Sequence, residues 1–231
     1  MIREISLENA LGWFAKLPKD RQIATLSPAY VCADVTRCEN SHPLFVLYTD
    51  QRGFWMHGMH WTPIADCERR FDIQSPYGYG GPVSNCDDLS FRSDAWSCYK
   101  EWCRARGAVV EFVRLHPLAH WQNYTGVIVP DRQTVFIDLE NENIRERYEI
   151  RCRTAVRKAE RSGLIVRLYP TDSIVSDFAK FYRNGMARIG ASPFHLFNDE
   201  YFKAFALLNG AHLLVCEREG VWLSAGLFLS G

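Results

Sequence analysis

Apolar and polar positions alternate along the chain with two periods, and each change of period marks a new element. Leu7, Leu11, Phe14 and Leu17 fall on one helical face, with Ser6 placed to cap the helix and Pro18 to end it. After an irregular stretch, LFVLYTD (44–50) and FWMHGMHW (54–61) flank Gln51-Arg52-Gly53 and predict a β-hairpin. A strand ending in FDIQ (71–74) runs into the glycine-rich SPYGYGGPVSN (75–85). A helix over 88–106 follows, with Trp96, Tyr99 and Cys103 as its apolar stripe and Gly107 as its stop. AVVEFVRLH (108–116) reads as a buried strand, and GVIVP (126–130) and TVFIDL (134–139) as two more that close this half.

The second half opens with a long helix over 143–161, whose apolar row is Ile144, Tyr148, Cys152, Ala155 and Ala159. Gly163 ends it, LIVRLYP (164–170) is a strand, and helices cover 171–188 and 198–208. HLLVCER (212–218) and VWLSAGLFLS (221–230) form another hairpin. Its CEREGVWLSAG echoes YTDQRGFWMHG of the first, by internal duplication or by chance likeness between hairpins. Strand gives way to charged helix near 139–142, which divides the chain into residues 1–140 and 141–231. The first half follows its hairpin with strand, loop, helix and strand, and the second follows its hairpin with nothing. A strand as apolar as the last one belongs inside a sheet, so the expectation is a second unit that is cut short.

Composition narrows the class. The chain has 231 residues, 47% hydrophobic and 23% charged, which excludes a disordered tail, a collagen-like fibre and a coiled coil. Lys+Arg and Asp+Glu both number 27, so binding to nucleic acid or anionic lipid requires a local patch. Nothing approaches the ~20 apolar residues of a membrane span, and the start MIREISLENALGWF lacks the apolar run of a signal peptide. A soluble, cytoplasmic protein is expected. The eight cysteines include no CxxC pair, and Cys98 and Cys103 point to different helix faces. Reduced thiols and no metal are expected. Asn123-Tyr124-Thr125 spells a glycosylation acceptor that has no secretory context.

Two segments carry candidate chemistry. In SPYGYGGP the glycines 78, 80 and 81 allow a ligand to approach the main chain, and successive N–H groups can cradle a phosphate or an oxyanion. Tyr77 and Tyr79 can stack on a base or donate from their hydroxyls. The plain alternative is a wide turn braced by Pro76 and Pro82. In the helix over 143–161, seven basic and three acidic residues lie between Arg145 and Arg161. Arg153, Arg157 and Arg161 form one row with Lys158 beside it, suited to a diphosphate or an RNA backbone, or to nothing more than solvent. His57 and His60 face opposite sides of a strand and share no metal. His116 ends a strand, and Glu111, Asp138 and Glu140 are general-base candidates without further support.

FDIQSPYGYGGP, EFVRLHP, VFIDLE with RCRTAVRKAERSGLIV, and FYRNGMARIGASPFHLFNDEYF occur in an order that resembles the Fem-type aminoacyltransferases and acyltransferases of the GNAT superfamily. The resemblance covers roughly residues 10–231. It implies an α+β fold of two GNAT-like modules in tandem, residues 1–140 and 141–231, with mixed central sheets, the second module incomplete, and a cleft between them. SPYGYGGP takes the slot of the pyrophosphate-binding loop without its Q/R-x-x-G-x-G/A signature. Where relatives have Arg-x-Asn-Ile-Arg-Lys-Ala, this chain has Arg153-Thr154-Ala155-Val156-Arg157-Lys158-Ala159.

The resemblance further implies acyl or aminoacyl transfer to an amino group of a phosphorylated cell-wall precursor or surface sugar. The donor would be aminoacyl-tRNA or acyl-CoA, with no tightly bound cofactor, no metal and no DNA partner. Substrate contacts are then sought at Tyr77, Gly78, Tyr79, Gly80, Gly81, Arg153, Arg157, Lys158, Tyr182 and Arg188. The rivals are a coenzyme A-dependent N-acyltransferase of sugar or lipid modification and a fragment that binds without turnover.

Overall fold

A computed structural model of the chain describes residues 1–119, 123–131, 133–135, 137 and 143–230. The first half is built on a mixed six-stranded sheet. Its strands are β1 (Ile2–Glu4), β2 (His42–Asp50), β3 (Gly53–Pro63), β4 (Phe71–Gln74), β5 (Gly81–Ser84) and β6 (Ala108–Phe112). The order is β1-β2-β3-β4-β6, with β5 also paired to β3, and among these described strand pairs only β4 and β6 run parallel. The hairpin of β2 and β3 is its centre, in register from His42 opposite Trp61 to Asp50 opposite Gly53.

Alternation along β3 explains a strand that is apolar on both sides. Phe54 and Met56 join Val31, Phe45, Leu47 and Val83 on one face, under the helices α1 (Leu7–Phe14) and α2 (Pro28–Val35). Trp55 and Met59 join Phe91, Ala95, Trp96 and Tyr99 of α3 (Leu89–Arg106) on the other. The Asp88 side chain caps α3 by accepting the Ser90 N–H, and Gly107 ends it at φ 93°.

The second half carries α4 (Ile150–Arg161), β7 (Ile165–Tyr169), α5 (Thr171–Arg188), α6 (Asp199–Ala206), β8 (Ala211–Arg218) and β9 (Val221–Leu229). The last three strands form an antiparallel sheet in the order β7-β8-β9. Val175, Phe178 and Ala179 of α5 and Phe202, Phe205 and Ala206 of α6 cover Leu213 and Val215 on one face. The fold class is therefore α+β with one mixed and one antiparallel sheet.

Several expectations are corrected. The irregular stretch contains α2, whose Ser27 cap and Pro28 at the first turn are ordinary start signals. SPYGYGGPVSN is not loop throughout, because β5 forms at its end and pairs with β3. In α1, Leu7 and Leu11 are exposed and Ala10 is buried, since the small residue lets the short helix approach the sheet. β6 stops at Phe112 rather than 116, and Val109, Val110 and Phe112 are exposed because it is an edge strand.

The described residues of 126–130 and 134–139 form no strand, and Val127, Val129 and Val135 are exposed. Residues 136, 138 and 139, the boundary at 139–142, and the candidate bases Asp138 and Glu140 lie outside the described residues. The helix over 143–161 is broken: a 3-10 turn, Ile144–Arg147, is separated from α4 by Tyr148 and Glu149 in extended torsions. No residue of α4 is buried, because its alanines and Cys152 offer little apolar area to hold it down.

The two echoing hairpins both form, with two-residue loops, but they are not superposable in detail. Glu219 and Gly220 turn at φ 53° and 77°, whereas Gln51 and Arg52 have negative φ and Gly53 already belongs to the strand. The shared tryptophans end differently, Trp55 fully buried opposite Tyr48 and Trp222 half-buried opposite Glu217.

Gly107 and Gly163 separate torsion from crowding. Both have positive φ, 93° and 73°, but a Cβ on Gly107 would lie 2.3 Å from the Arg69 carbonyl oxygen, while nothing is within 4 Å at Gly163. Gly163→Ala should cost about 1–2 kcal/mol, and Gly107→Ala clearly more, read from urea midpoints. Equal losses would show that the Arg69 contact has no energetic weight.

Candidate functional site

The site begins with an unusual residue in α2. Tyr30, Val31 and Asp34 share its inward face, and Asp34 is 0% exposed. A carboxylate so placed must be fully partnered. Its Oδ1 accepts from Arg37 Nε at 2.9 Å and its Oδ2 accepts from the Tyr77 backbone N–H at 2.8 Å. His60 Nδ1 lies 3.8 Å from Oδ2, while His60 Nε2 donates to the Val31 carbonyl at 2.9 Å. The Tyr30 hydroxyl donates to the Tyr77 carbonyl at 2.7 Å. Two side chains of α2 thus hold both main-chain groups of Tyr77.

The glycines of the loop serve this geometry. Gly78 adopts φ 90°, and a Cβ on Gly80 would meet the Ser75 Cβ at 2.5 Å. Gly80 N–H donates to the Arg114 carbonyl at 2.8 Å, and His116 N–H donates to the Gly80 carbonyl at 2.9 Å. The loop is thereby stitched to the chain after β6. Gly81 has become the first residue of β5. Among the described residues, the Gly78 N–H makes no hydrogen bond, and Gly78 is part of the cleft lining.

That cleft has a volume of about 380 Å³ and lies where the two halves meet. Arg37, Tyr77, Phe112 and Arg114 line it from the first half, and Phe194 and Phe197 from the second. The Arg37 guanidinium lies over the Tyr77 ring at 5.2 Å and the Phe194 ring at 5.5 Å. Burial disfavours its charge, but Asp34 outweighs that and raises its pKa. Arg114 is an exposed cation across the cleft. The seam is reinforced by Asn198, whose Oδ1 caps α6 at Tyr201 N and whose Nδ2 donates to the Thr36 carbonyl just beyond α2.

The anticipated residues divide. Tyr77 and Gly78 line the cleft; Gly80 and Gly81 build the turn behind it. The Tyr79 ring packs on His116 at 5.3 Å, away from the lining. Tyr182 supports the cleft from beneath, its ring stacked on Phe197 at 5.7 Å and its hydroxyl donating to the His195 carbonyl. Arg188 is exposed at the end of α5, and Arg153, Arg157 and Lys158 lie on α4, all outside the lining. Glu111 faces α3 instead: it accepts from the Tyr99 hydroxyl at 2.7 Å and lies 3.3 Å from the buried His57 Nε2. Burial pushes the Glu111 pKa up, yet His57, Tyr99 and Tyr124 together hold it below the ordinary range.

Asp34 and Arg37 belong to no motif, while Arg114 lies within EFVRLHP and Phe194, Phe197 and Asn198 within FYRNGMARIGASPFHLFNDEYF, where nothing in the sequence marks them individually. A usable signal existed for one: an aspartate in step with Tyr30 and Val31 on an apolar helix face, three residues before an arginine. A larger groove of about 960 Å³ opens at the far end of β4, between residues 64–70 and the last turn of α3, and contains none of the anticipated residues. Among the described residues no group of three His, Cys, Asp or Glu side chains is arranged to hold a metal, and all eight cysteines are free. No described helix is long and apolar enough to cross a membrane. No family model matches the chain, and no curated protein is significantly similar to it.

The clamp has a pH signature. Burial, against the opposing pull of Asp34 and with Arg37 nearby, lowers the His60 pKa below its usual 6.5. The unfolded chain then takes up a proton before the folded one as pH falls, so stability declines below about pH 6.5 until the folded pKa is passed. His60→Gln should flatten part of that slope in urea titrations run across this range. His116, whose pKa burial also lowers, contributes to the same slope. An unchanged slope in His60→Gln would contradict the assignment.

Proposed function

We propose that the chain is a Fem-like acyl- or aminoacyltransferase built of tandem GNAT-like modules, the cleft holding a phosphorylated acceptor between them. The observation that carries the reading is the pairing of Arg37 and Arg114 with aromatic rings from both halves around one cleft. Arginine forks suit phosphate oxygens, and the rings exclude water around them. The resemblance of the segments around SPYGYGGP supports the same reading, because this loop supplies Tyr77 and Gly78 to the cleft.

In this reaction the acceptor amine attacks the carbonyl carbon of the donor. A C–N bond forms, the ester C–O bond of an aminoacyl-tRNA or the C–S bond of an acyl-CoA breaks, and the amine proton ends on the leaving oxygen or sulfur. Oxyanion stabilisation needs a positioned donor, and the unengaged Gly78 N–H is suited to it. Arg37, fixed by Asp34, and Arg114 orient the acceptor phosphate.

A second reading is binding without turnover. It is favoured by the lining itself, which among the described residues carries no carboxylate or imidazole to take the amine proton.

Thermal shifts separate these readings. A ligand present at about 100 times its Kd adds about 2.7 kcal/mol of stability. A nucleotide-linked sugar peptide should raise the melting temperature, and acetyl-CoA or aminoacyl-tRNA should identify the donor. Arg114→Ala, on an exposed side chain, should weaken the acceptor about tenfold or more. Acceptor binding with no transfer from either donor would select the binding reading. No shift with any of the three, or an unaltered Kd in Arg114→Ala, would refute the phosphate assignment.

A further inference from the structure

The groove of about 960 Å³ between residues 64–70 and the last turn of α3 is larger than the cleft and takes no part in its chemistry. The two share no lining residue: Phe71 at one end of β4 belongs to the groove, and Gln74 at the other belongs to the cleft. Glu4 of β1, Leu44 of β2, Trp61 of β3 and Phe71 of β4 all line it, so it crosses four neighbouring strands. At ~4.8 Å between strands the crossing is roughly 14 Å long.

Its walls are fixed by hydrogen bonds. Ile64 N–H donates to the Arg70 carbonyl at 3.0 Å and Arg70 N–H to the Cys67 carbonyl at 3.2 Å, which closes the 64–70 loop on itself. Phe71 N–H donates to the Gly107 carbonyl at 3.4 Å and ties that loop to the end of α3. Trp61 is braced by the Phe71 ring at 5.6 Å, and Trp102 is stacked on Tyr99 at 6.3 Å. Both tryptophans nevertheless remain only half-buried. Large apolar side chains held in place on a concave floor make a preformed binding surface.

The rim is charged and balanced, with three carboxylates and three guanidiniums. Arg106 lies over the Trp102 ring at 5.3 Å and pairs with Glu4. Asp66, Glu68, Arg69 and Arg70 bring two charges of each sign into one exposed loop, yet among the described residues they form no ion pair and no side-chain hydrogen bond. Asp66 and Arg69 also hold left-handed torsions, φ 59° and 61°, which side chains rarely adopt. A strained loop therefore keeps unlike charges available beside an aromatic floor.

We propose that this groove binds an extended peptide segment of a partner protein, with a large apolar side chain seated among Trp61, Phe71 and Trp102 and residues of opposite charge on its two sides. At about 3.3–3.6 Å per residue, roughly four residues span the floor. An aromatic centre inside an arginine-bearing polar rim is the anatomy of a protein-recognition patch. The balanced rim decides the flanking charges, because a segment of one sign would leave half of the unpaired groups facing a like charge. The same balance disfavours nucleic acid, whose phosphates gain only from a cationic surplus. The proposal goes beyond the cleft reading and does not rest on it.

The test is an array of seven-residue synthetic peptides, varied in the central residue and in the charges on either side, probed with the full chain and followed by fluorescence anisotropy of the best binder. Binding should require a large apolar centre between one acidic and one basic residue. Ala105→Trp, at an exposed position of the lining, should plug the groove and weaken that peptide at least about tenfold. The double variant Arg69→Glu, Arg70→Glu, on exposed side chains, should move the array's preference to basic residues on both sides. Circular dichroism and melting establish that both variants are folded. No peptide bound at about 0.1 mM chain, affinity unchanged by Ala105→Trp, or a charge preference unmoved by the double variant would each overturn the proposal. Sedimentation showing a dimer that Ala105→Trp dissociates would assign the groove to a second copy and overturn it as well. The array needs neither acceptor nor donor, so its outcome is separate from that of the thermal shifts.

Discussion

A fully buried carboxylate is the constraint around which the cleft is arranged. Asp34 has left water entirely, which costs several kcal/mol unless its oxygens are bonded in its new surroundings. Arg37 and the Tyr77 N–H meet that demand, one on each oxygen. The first bond fixes a guanidinium beside the cleft. The second, with the Tyr30 hydroxyl on the adjoining carbonyl, fixes the backbone of the glycine-tyrosine loop. Once Tyr77 is held, its ring meets Phe194 at 5.9 Å and Phe197 at 5.2 Å, and the seam between the halves follows. One aspartate thereby sets cation, loop and interface together.

The other face of the sheet solves the same problem separately. His57 and His60, three apart on β3, project to opposite sides and each meets a carboxylate, Glu111 on one and Asp34 on the other. The strand period alone dictates that division. Glu111 is one residue from Phe112, which lines the cleft, yet it faces α3 and is enclosed with Tyr99, Tyr124 and Trp96. Its oxygens accept from the Tyr99 and Tyr124 hydroxyls, away from the cleft, which depends on arginines, aromatic rings and main-chain groups.

Elements defined by local signals were legible in the sequence. α3, with its aspartate cap and glycine stop, and both hairpins, with their apolar runs and short loops, emerge close to their expected bounds. What depended on distant partners was not legible. The apolar runs at 126–130 and 134–139 read as strands, but strand formation needs a free edge in register, and the described residues there pair with none. The row on α4 reads as core-facing, whereas side chains as small as alanine leave the decision to tertiary contacts that bury none of them. The glycine loop was visible as a place for a ligand. Its clamp was hidden, because Asp34 lies 43 residues from Tyr77 and belongs to no motif.

The clamp is most directly tested by amide hydrogen exchange at Tyr77, compared between the unaltered chain and Asp34→Ala. The bond to Asp34 predicts a Tyr77 amide protected far beyond an ordinary surface loop. In Asp34→Ala that protection should collapse while the amides of α3 remain slow. A Tyr77 amide that exchanges freely in the unaltered chain, or that keeps its protection without the Asp34 carboxylate, would contradict the account.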